Sequence, residues 1–213
     1  MSVGATVLVG IVGYTPVLDF YPLGPRLMAA LLNGLAGHAD VSVEDMSWSP
    51  IHAVQRLQDE GVAQPRRVVL AGAASVCTCP GRVHVFRWMR GISPTHTMQE
   101  RMYEAVTGIV DIENTLAIGS HFGVWPGETY SVEVELPADT FGQMVIADSQ
   151  GLSREELAAY LGFDPETVIK KITAMVVAFA VNGPGSSVSA APKTARDLAA
   201  VRSFIQNRIV FPA

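Results

Sequence analysis

The sequence predicts an α/β protein whose helices cover both faces of a mostly parallel sheet. β-branched apolar runs alternate along the chain with segments of helical periodicity, which indicates strands alternating with helices. The first run, residues 6–12, is apolar throughout, as in a strand buried on both faces of a parallel sheet. The 213 residues, 49% hydrophobic and 16% charged, suffice for one compact domain and a short extension.

Five more short runs rich in β-branched residues predict strands. They span residues 41–44, 67–71, 82–88, 115–120 and 130–136. The continuous apolar run at 67–71 is typical of the centre of a sheet. The regular alternation over 130–136 indicates a strand nearer an edge, with one face exposed.

Proline and capping residues predict where the first helices begin. Pro25 suits the first turn of a helix that Gly37 can end. Residues 51–59 predict a second helix. Thr97 and Glu100 have the spacing of a capping box, which predicts the start of a third.

The last third of the chain is predicted to be helical. Ser153 with Glu156 forms another capping box, and Asp164 before a proline predicts a further helix start. Residues 182–192 are rich in Gly, Ser, Pro and Ala and predict a flexible stretch before an amphipathic helix over 194–207. We therefore expect an α/β domain over residues 1–150 and a helical C-terminal extension over 151–213.

Charge and cysteine content restrict the class of protein. A formal net charge of −5 argues against a nucleic-acid partner, because such proteins normally present a basic face. The apolar runs 7–12 and 172–181 are too short to span a bilayer, so neither a signal peptide nor a membrane anchor is expected. The only cysteines, Cys77 and Cys79, are too close together for a disulfide framework, which fits a reducing cytoplasm.

Four segments resemble the endopeptidases of nickel–iron hydrogenase maturation. Residues 10–26 (GIVGYTPVLDFYPLGPR) are similar to the glycine-rich first loop of that family. Residues 67–86 resemble its central strand, loop and returning strand. Residues 93–96 (SPTH) resemble its Ser/Thr-His motif, and residues 115–129 its next strand and the loop that follows.

The resemblance implies a three-layer α/β/α sandwich of the phosphorylase/hydrolase-like kind. Family members bind the precursor of the hydrogenase large subunit and remove its C-terminal peptide once nickel is in place. Two carboxylates and a histidine hold that nickel, a ligand set suited to a divalent first-row metal. For this chain the resemblance implies the precursor, or a related metalloenzyme subunit, as partner. It also implies nickel supplied by the substrate, or another divalent metal.

The family's metal ligands correspond only in part to residues of this chain. His96 falls where the ligand histidine falls. Asp19 lies beside the position of the acidic pair, whose nominal places hold Phe20 and Tyr21. Gly72 stands where the central strand of the family ends in aspartate.

Three further residues near these positions could complete a metal site. Cys77 and Cys79 follow the central strand, and a Cys-x-Cys pair with a nearby histidine can bind zinc or a softer metal. His121 stands near a position where the family often carries Gln or Glu. Tyr14 lies where the family's first loop has an asparagine.

Each candidate ligand also has a plainer interpretation. His96 is equally a polar residue at a helix start, although the helix dipole there favours a neutral imidazole that can bind metal. Asp19 is also a typical turn former, Cys77 and Cys79 are also two free thiols beside a turn, and His121 also suits a surface loop. The remaining histidines are interpreted as structural: His38, His52 and His84.

Other common sites are not supported by the sequence. Gly10 and Gly13 follow a strand but lack the full Gly-x-Gly-x-x-Gly pattern of a dinucleotide site. Residues 182–187 lack the Gly-Lys-Ser/Thr ending of a phosphate loop. No Gly-x-Ser-x-Gly elbow marks a serine hydrolase.

Two functions from different classes follow. The first is a metal-dependent endopeptidase that acts on a hydrogenase large-subunit precursor, with Asp19 and His96 on the metal and Cys77, Cys79 or His121 in place of the missing aspartate. The second is a non-catalytic relative that serves as a binding or chaperone module in hydrogenase or metallocentre assembly. A third interpretation takes the resemblance as one of α/β architecture alone. The oligomeric state is not indicated.

Overall fold

A six-stranded sheet forms the centre of the protein in the computed structural model, which describes residues 6–59, 64–89, 91, 94–185 and 188–194. The strand order is β2-β1-β3-β5-β4-β6. All neighbouring strands run parallel except β4 and β5, which are antiparallel. The strands are β1 (Val7–Ile11), β2 (Val41–Asp45), β3 (Arg67–Ala73), β4 (Val83–Trp88), β5 (Glu128–Val134) and β6 (Ala191–Lys193).

Helices cover both faces of this sheet, as the sequence predicts. One apolar cluster joins the sheet to α1, α5, α6 and α7, and a second joins the opposite face to α2, α3 and α4. The structure is therefore an α/β/α sandwich around a mostly parallel sheet. The helices are α1 (Pro25–Leu35), α2 (Pro50–Gln58), α3 (Thr95–Val106), α4 (Ile112–His121), α5 (Thr140–Ser149), α6 (Arg154–Leu161) and α7 (Pro165–Asn182).

The long helix α7 packs directly on the sheet. Its Phe179 is buried, with its ring centroid 4.8 Å from that of Tyr130 in β5. Residues 191–193 add β6 to the sheet beside β4, and two of them, Ala191 and Pro192, belong to the stretch expected to be flexible. The amphipathic helix expected over 194–207 falls, from residue 195 onward, outside the described residues. The division of the chain at residue 150 stays a prediction.

The expected strand at 115–120 is wrong, because these residues belong to α4. The Asp111 side chain accepts a hydrogen bond from the Asn114 N–H at 2.6 Å and caps this helix. The eight residues from Ile112 to Gly119 are all buried, so α4 has no polar face to mark it as a helix. A short apolar run buried on every side cannot be told from a buried strand by periodicity alone.

Two further expectations need correction. β5 lies in the interior of the sheet between β3 and β4, whereas its alternating sequence suggested an edge. Its polar residues Thr129, Ser131 and Glu133 are buried instead of exposed to water. The helix α3 begins at Thr95 after Pro94, so Thr97 lies inside the helix and is buried, and its predicted capping box does not form. The helix α5 was not predicted.

The capping predictions in the last third are confirmed. The Ser153 hydroxyl accepts from the Glu156 N–H, and the Glu156 carboxylate accepts from the Ser153 N–H. The Asp164 carboxylate likewise accepts from the backbone of the first turn of α7. These polar side chains satisfy N–H groups that a helix start leaves without partners.

We predict opposite effects for alanine at two helical glycines. A Cβ on Gly119 in α4 would lie 2.4 Å from the indole of the buried Trp125, so Gly119→Ala should lower the free energy of unfolding by about 1–3 kcal/mol. A Cβ on Gly142 in α5 would have no atom within 4 Å. Because alanine favours a helix more than glycine does, Gly142→Ala should raise the free energy of unfolding by about 0.5–1 kcal/mol. Urea unfolding measures both, and equal stability of Gly119→Ala and wild type would contradict this packing.

Candidate functional site

The carboxyl ends of the parallel strands carry the loops that form the candidate site. β1, β3 and β5 run in the same direction, so the loops that follow them meet at one edge of the sheet. Because β4 is antiparallel to β5, its first residues lie at the same edge. In open α/β sheets this edge is where ligands usually bind.

A pocket of about 400 Å³, here called the acidic pocket, opens at this edge. Three carboxylates line it: Glu113 from the first turn of α4, Glu133 near the end of β5, and Glu135 just beyond β5. Lys193 of β6 and His84 of β4 also line it. The pocket therefore collects ionisable groups from four elements that are far apart in sequence.

Glu133 and Glu113 share the Lys193 ammonium. Lys193 Nζ lies 2.8 Å from both Glu133 carboxylate oxygens and 3.7 Å from Glu113 Oε1. Glu133 also accepts a hydrogen bond from the Ser131 hydroxyl at 2.6 Å. On its other side Glu113 pairs with the Arg101 guanidinium at 3.3 Å. Since Glu133, Glu113 and Lys193 are exposed by only 2%, 4% and 8%, this is a buried ionic network.

Glu135 is held separately by the loop after β3 and by His84. Its carboxylate accepts hydrogen bonds from the Cys79 N–H at 2.7 Å, from the Thr78 hydroxyl at 2.9 Å and from the Thr78 N–H. His84 Nε2 lies 2.7 Å from its other oxygen. Burial alone would raise the pKa of Glu135, but these hydrogen bonds outweigh it and lower the pKa to about 2. Glu135 therefore stays ionised and ties the loop to the end of β5.

A second pocket, here called the loop pocket, has a volume of about 640 Å³ and shares Ala74 and Ser75 with the acidic pocket. It is bounded by Tyr21 from the loop after β1 and Phe141 from the start of α5, whose rings meet edge to face at 6.1 Å. Its other lining residues come from the end of β3 and the loop after it, and from the loop after β5 and the first residue of α5: Ala73, Cys77, Pro80, Leu136, Pro137, Ala138 and Thr140.

The five candidate ligands from the sequence lie in different surroundings. Asp19 is mostly exposed and pairs with Arg26, with Asp19 Oδ2 and Arg26 Nε 2.7 Å apart. His96 is exposed on the first turn of α3, and His121 is exposed at the end of α4 with its ring edge to face against Phe122.

Asp19 borders a separate pocket of about 150 Å³ beside α5 and α6, whereas Cys77 borders the loop pocket. Cys77 lines the loop pocket, and the pKa of its thiol is raised by burial and then by the nearby charges of Glu135 and Cys79. A raised pKa keeps the thiol protonated, whereas a metal ligand is a thiolate. The Cys79 side chain is exposed, while its backbone N–H is bound to Glu135.

These residues do not fit a divalent metal site as the structure places them. Within the part of the chain that the structure describes, no three His, Cys, Asp or Glu side chains are grouped so that they could hold a metal ion. A Cβ on Gly72, where the resemblance expects an aspartate, would lie 3.0 Å from Ile112 of α4. The role of the five residues as ligands stays a prediction.

The carboxylates of the acidic pocket were not predicted from the sequence. Gly72 of β3 is directly paired with Glu133 of β5, so a carboxylate stands one strand away from the place where the resemblance expects one. The signal was present in Ser131, Glu133 and Glu135, which alternate with apolar residues along β5. Such alternation normally marks a solvated face, but here α4 and β6 cover it.

Four acidic groups near the pockets are already paired or hydrogen-bonded. Arg26 pairs with Asp19, Lys193 with Glu133 and Arg101 with Glu113, while His84 is hydrogen-bonded to Glu135. A free cation would first have to displace one of these partners.

Comparison with known proteins finds likeness at the level of structure. No protein-family model matches the sequence, and no curated protein is significantly similar to it. The solved Hydrogenase 3 maturation protease is similar with a TM-score of 0.47 and 12% identity, over 90% of this chain and 98% of that one.

Two further structures are similar. The endopeptidase HycI from Escherichia coli has a TM-score of 0.42 and 10% identity over 86% of this chain and 97% of that one. A hydrogenase 2 maturation peptidase from a Thaumarchaeota archaeon has a TM-score of 0.33 and 16% identity, over 69% of this chain and 99% of that one. With TM-scores below 0.5 and identities of 10–16%, the similarity concerns the backbone fold and not the activity. No helix among the residues with described structure is long and apolar enough to cross a membrane.

We predict that Glu135→Gln destabilises the protein in a pH-dependent way. Because the folded pKa of Glu135 lies near 2, below its ordinary value of 4.5, its stabilisation is complete above about pH 4.5 and is lost as the pH falls towards 2. The variant should be less stable than wild type by about 2 kcal/mol at pH 7, since several hydrogen bonds to a charge are weakened. Urea unfolding at several pH values measures the difference.

The matched control for this prediction is Glu155→Gln, because Glu155 is exposed on α6. The free energy of unfolding of Glu155→Gln should differ little from that of wild type at every pH. If the difference in free energy of unfolding between Glu135→Gln and wild type does not shrink as the pH falls from 4.5 to 2, the role given to the carboxylate is contradicted.

Proposed function

We propose that this protein acts on the large-subunit precursor of a nickel–iron hydrogenase, or a related metalloenzyme subunit, and binds its C-terminal segment in the loop pocket. The observation that carries the proposal is the composition of that pocket. Tyr21 comes from one segment that resembles the maturation endopeptidases, residues 10–26, and Ala73 to Pro80 come from another, residues 67–86. The parts of the sequence that support the resemblance therefore meet at one cleft.

The form of the loop pocket supports a peptide as its ligand. Aromatic and small apolar side chains line it, and the loops on either side present backbone groups. Phe141 at its rim is 45% exposed, which leaves a large apolar surface for a partner to cover. Apolar pockets with a few convergent polar groups are typical ligand sites.

Two activities on this partner are candidates. In the first, the protein removes the C-terminal peptide of the precursor after nickel insertion, with the nickel brought by the substrate. In the second, it binds the precursor without cleavage and serves as a chaperone or assembly module. The ion pairs favour the second, because Asp19 is bound to Arg26, and the carboxylates of the acidic pocket are bound to Lys193, Arg101 and His84.

The deciding experiment mixes the purified protein with a large-subunit precursor in nickel-loaded and nickel-free forms. Mass spectrometry detects loss of the C-terminal peptide, and calorimetry detects binding. Binding without cleavage supports the assembly module. Nickel-dependent cleavage that is abolished by His96→Ala supports the endopeptidase, and absence of both binding and cleavage overturns the proposal.

We predict that Phe141→Ala weakens precursor binding about tenfold. Truncation of a large aromatic residue that a partner covers on binding can cost the 1.4 kcal/mol that this factor represents. The matched control is Phe122→Ala, because Phe122 is 44% exposed and lies outside both pockets. Equal affinities for the two variants in calorimetry would exclude the loop pocket as the binding site.

A further inference from the structure

His84 of β4 forms part of the wall of the acidic pocket, and 36% of its side chain is exposed. One ring nitrogen, Nε2, lies 2.7 Å from Oε1 of Glu135. The imidazole is also stacked on the ring of Phe86, with the two centroids 5.9 Å apart and the planes at 23°. These two contacts hold the imidazole in one position at the wall of the pocket.

The bond to Glu135 determines which nitrogen of His84 carries a hydrogen. The pKa of Glu135 is lowered to about 2, so its carboxylate is ionised and can only accept hydrogen bonds. Nε2 must therefore be the donor. In a neutral imidazole the other nitrogen, Nδ1, then has the free lone pair. Nδ1 has no hydrogen-bond partner among the residues that the structure describes.

Most other polar groups of the acidic pocket are already bound. Its carboxylates have the partners given above, and the Thr78 hydroxyl donates to Glu135 at 2.9 Å. The Ser75 hydroxyl lines the pocket without a partner in the described part of the chain. A hydroxyl both donates and accepts, so Ser75 does not restrict the ligand. Nδ1 of a neutral His84 can only accept, and it therefore selects a ligand that donates.

The charge and the walls of the acidic pocket restrict the ligand further. Glu113, Glu133 and Glu135 line it, and the cations bound to them are Lys193 and Arg101. The excess of negative charge repels an anion. Apolar side chains form other parts of the wall: Ala74, Val76, Phe86 and Pro192. The volume of about 400 Å³ lies in the range that is typical of sites for small molecules.

We propose that the acidic pocket binds a small uncharged molecule with an apolar body and an O–H or N–H group, and that this group donates a hydrogen bond to Nδ1 of His84. The apolar body lies against Phe86 and the neighbouring apolar wall, where it is removed from water. Glu135 is a positioning residue, because it holds the imidazole in the form that accepts. This inference does not depend on the function proposed above, and its tests use no hydrogenase component.

The first test compares three aromatic probes on the full-length protein at pH 8, where free imidazole is neutral. Phenol has a ring and a donor, anisole has a ring without a donor, and benzoate is an anion. Phenol should bind about fivefold more tightly than anisole, which corresponds to one neutral hydrogen bond, and more tightly than benzoate. NMR signals of the His84 ring measure the three affinities.

Two results of this comparison would overturn the proposal. The first is an affinity of anisole or benzoate equal to that of phenol. The second is an absence of any change in the His84 signals when phenol is added.

The second test removes the acceptor. His84→Phe keeps an aromatic ring, so anisole should still bind, but the preference for phenol should disappear. His52→Phe is the matched control, because His52 is exposed on α2, and it should keep the preference. The backbone amide signal of Ser75 measures binding in both variants. A preference for phenol that persists in His84→Phe would contradict the assignment, and the wild-type comparison decides the proposal if this variant fails to fold.

The third test examines the role of Glu135 through the ¹⁵N chemical shifts of the His84 ring. In wild type at pH 8, Nε2 should carry the hydrogen and Nδ1 should be unprotonated. In Glu135→Gln the amide oxygen should accept from the Thr78 and Cys79 N–H groups, which turns the amide NH₂ towards His84. The ring must then accept at Nε2 and carry its hydrogen on Nδ1, and phenol should lose its advantage over anisole.

The matched control for the third test is Glu155→Gln, which should leave the His84 shifts as in wild type because Glu155 is exposed on α6. A hydrogen on Nδ1 in wild type would overturn the proposed acceptor. A His84 tautomer that is the same in Glu135→Gln as in wild type would overturn the role of Glu135.

Discussion

The buried carboxylate of Glu133 is the constraint around which one side of this protein is arranged. A charge exposed by 2% has to be paired, and the ammonium that pairs it comes from β6, sixty residues further along the chain. Glu113 of α4 shares that ammonium, and Arg101 of α3 binds Glu113 in turn. One charge thus joins an inner strand, two helices and the edge strand.

The fold was largely predictable because strands and helices alternate with clear periods. β1 and β3 are continuous apolar runs, and the helix starts at Ser153 and Asp164 carry side chains that bind the first free N–H groups. Two of the errors concern α4 and β5: the residues of α4 are buried on nearly every side, and Ser131 and Glu133 of β5 are buried instead of exposed. The hydrophobic pattern of a strand or helix does not indicate which of its faces another element will cover in the folded protein.

The candidate site was less predictable, because its groups come together only in three dimensions. Glu113, Glu133 and Lys193 are separated by long stretches of chain and belong to no motif. Tyr21 and Cys77, from the loops after β1 and β3, line one pocket. Gly72 of the central strand lies close to Ile112 and is paired with the buried Glu133 on the neighbouring strand.

The position of Pro192 affects how the protein behaves at high concentration. An edge strand with free N–H and C=O groups is a template on which other molecules can polymerise. Pro192 is the middle residue of β6, and it withholds a donor at the centre of this short edge. At the opposite edge, β2 ends in Asp45, and a charged residue at the end of an edge strand disfavours pairing with a second copy of that strand. Both margins of the sheet therefore resist amyloid-like association.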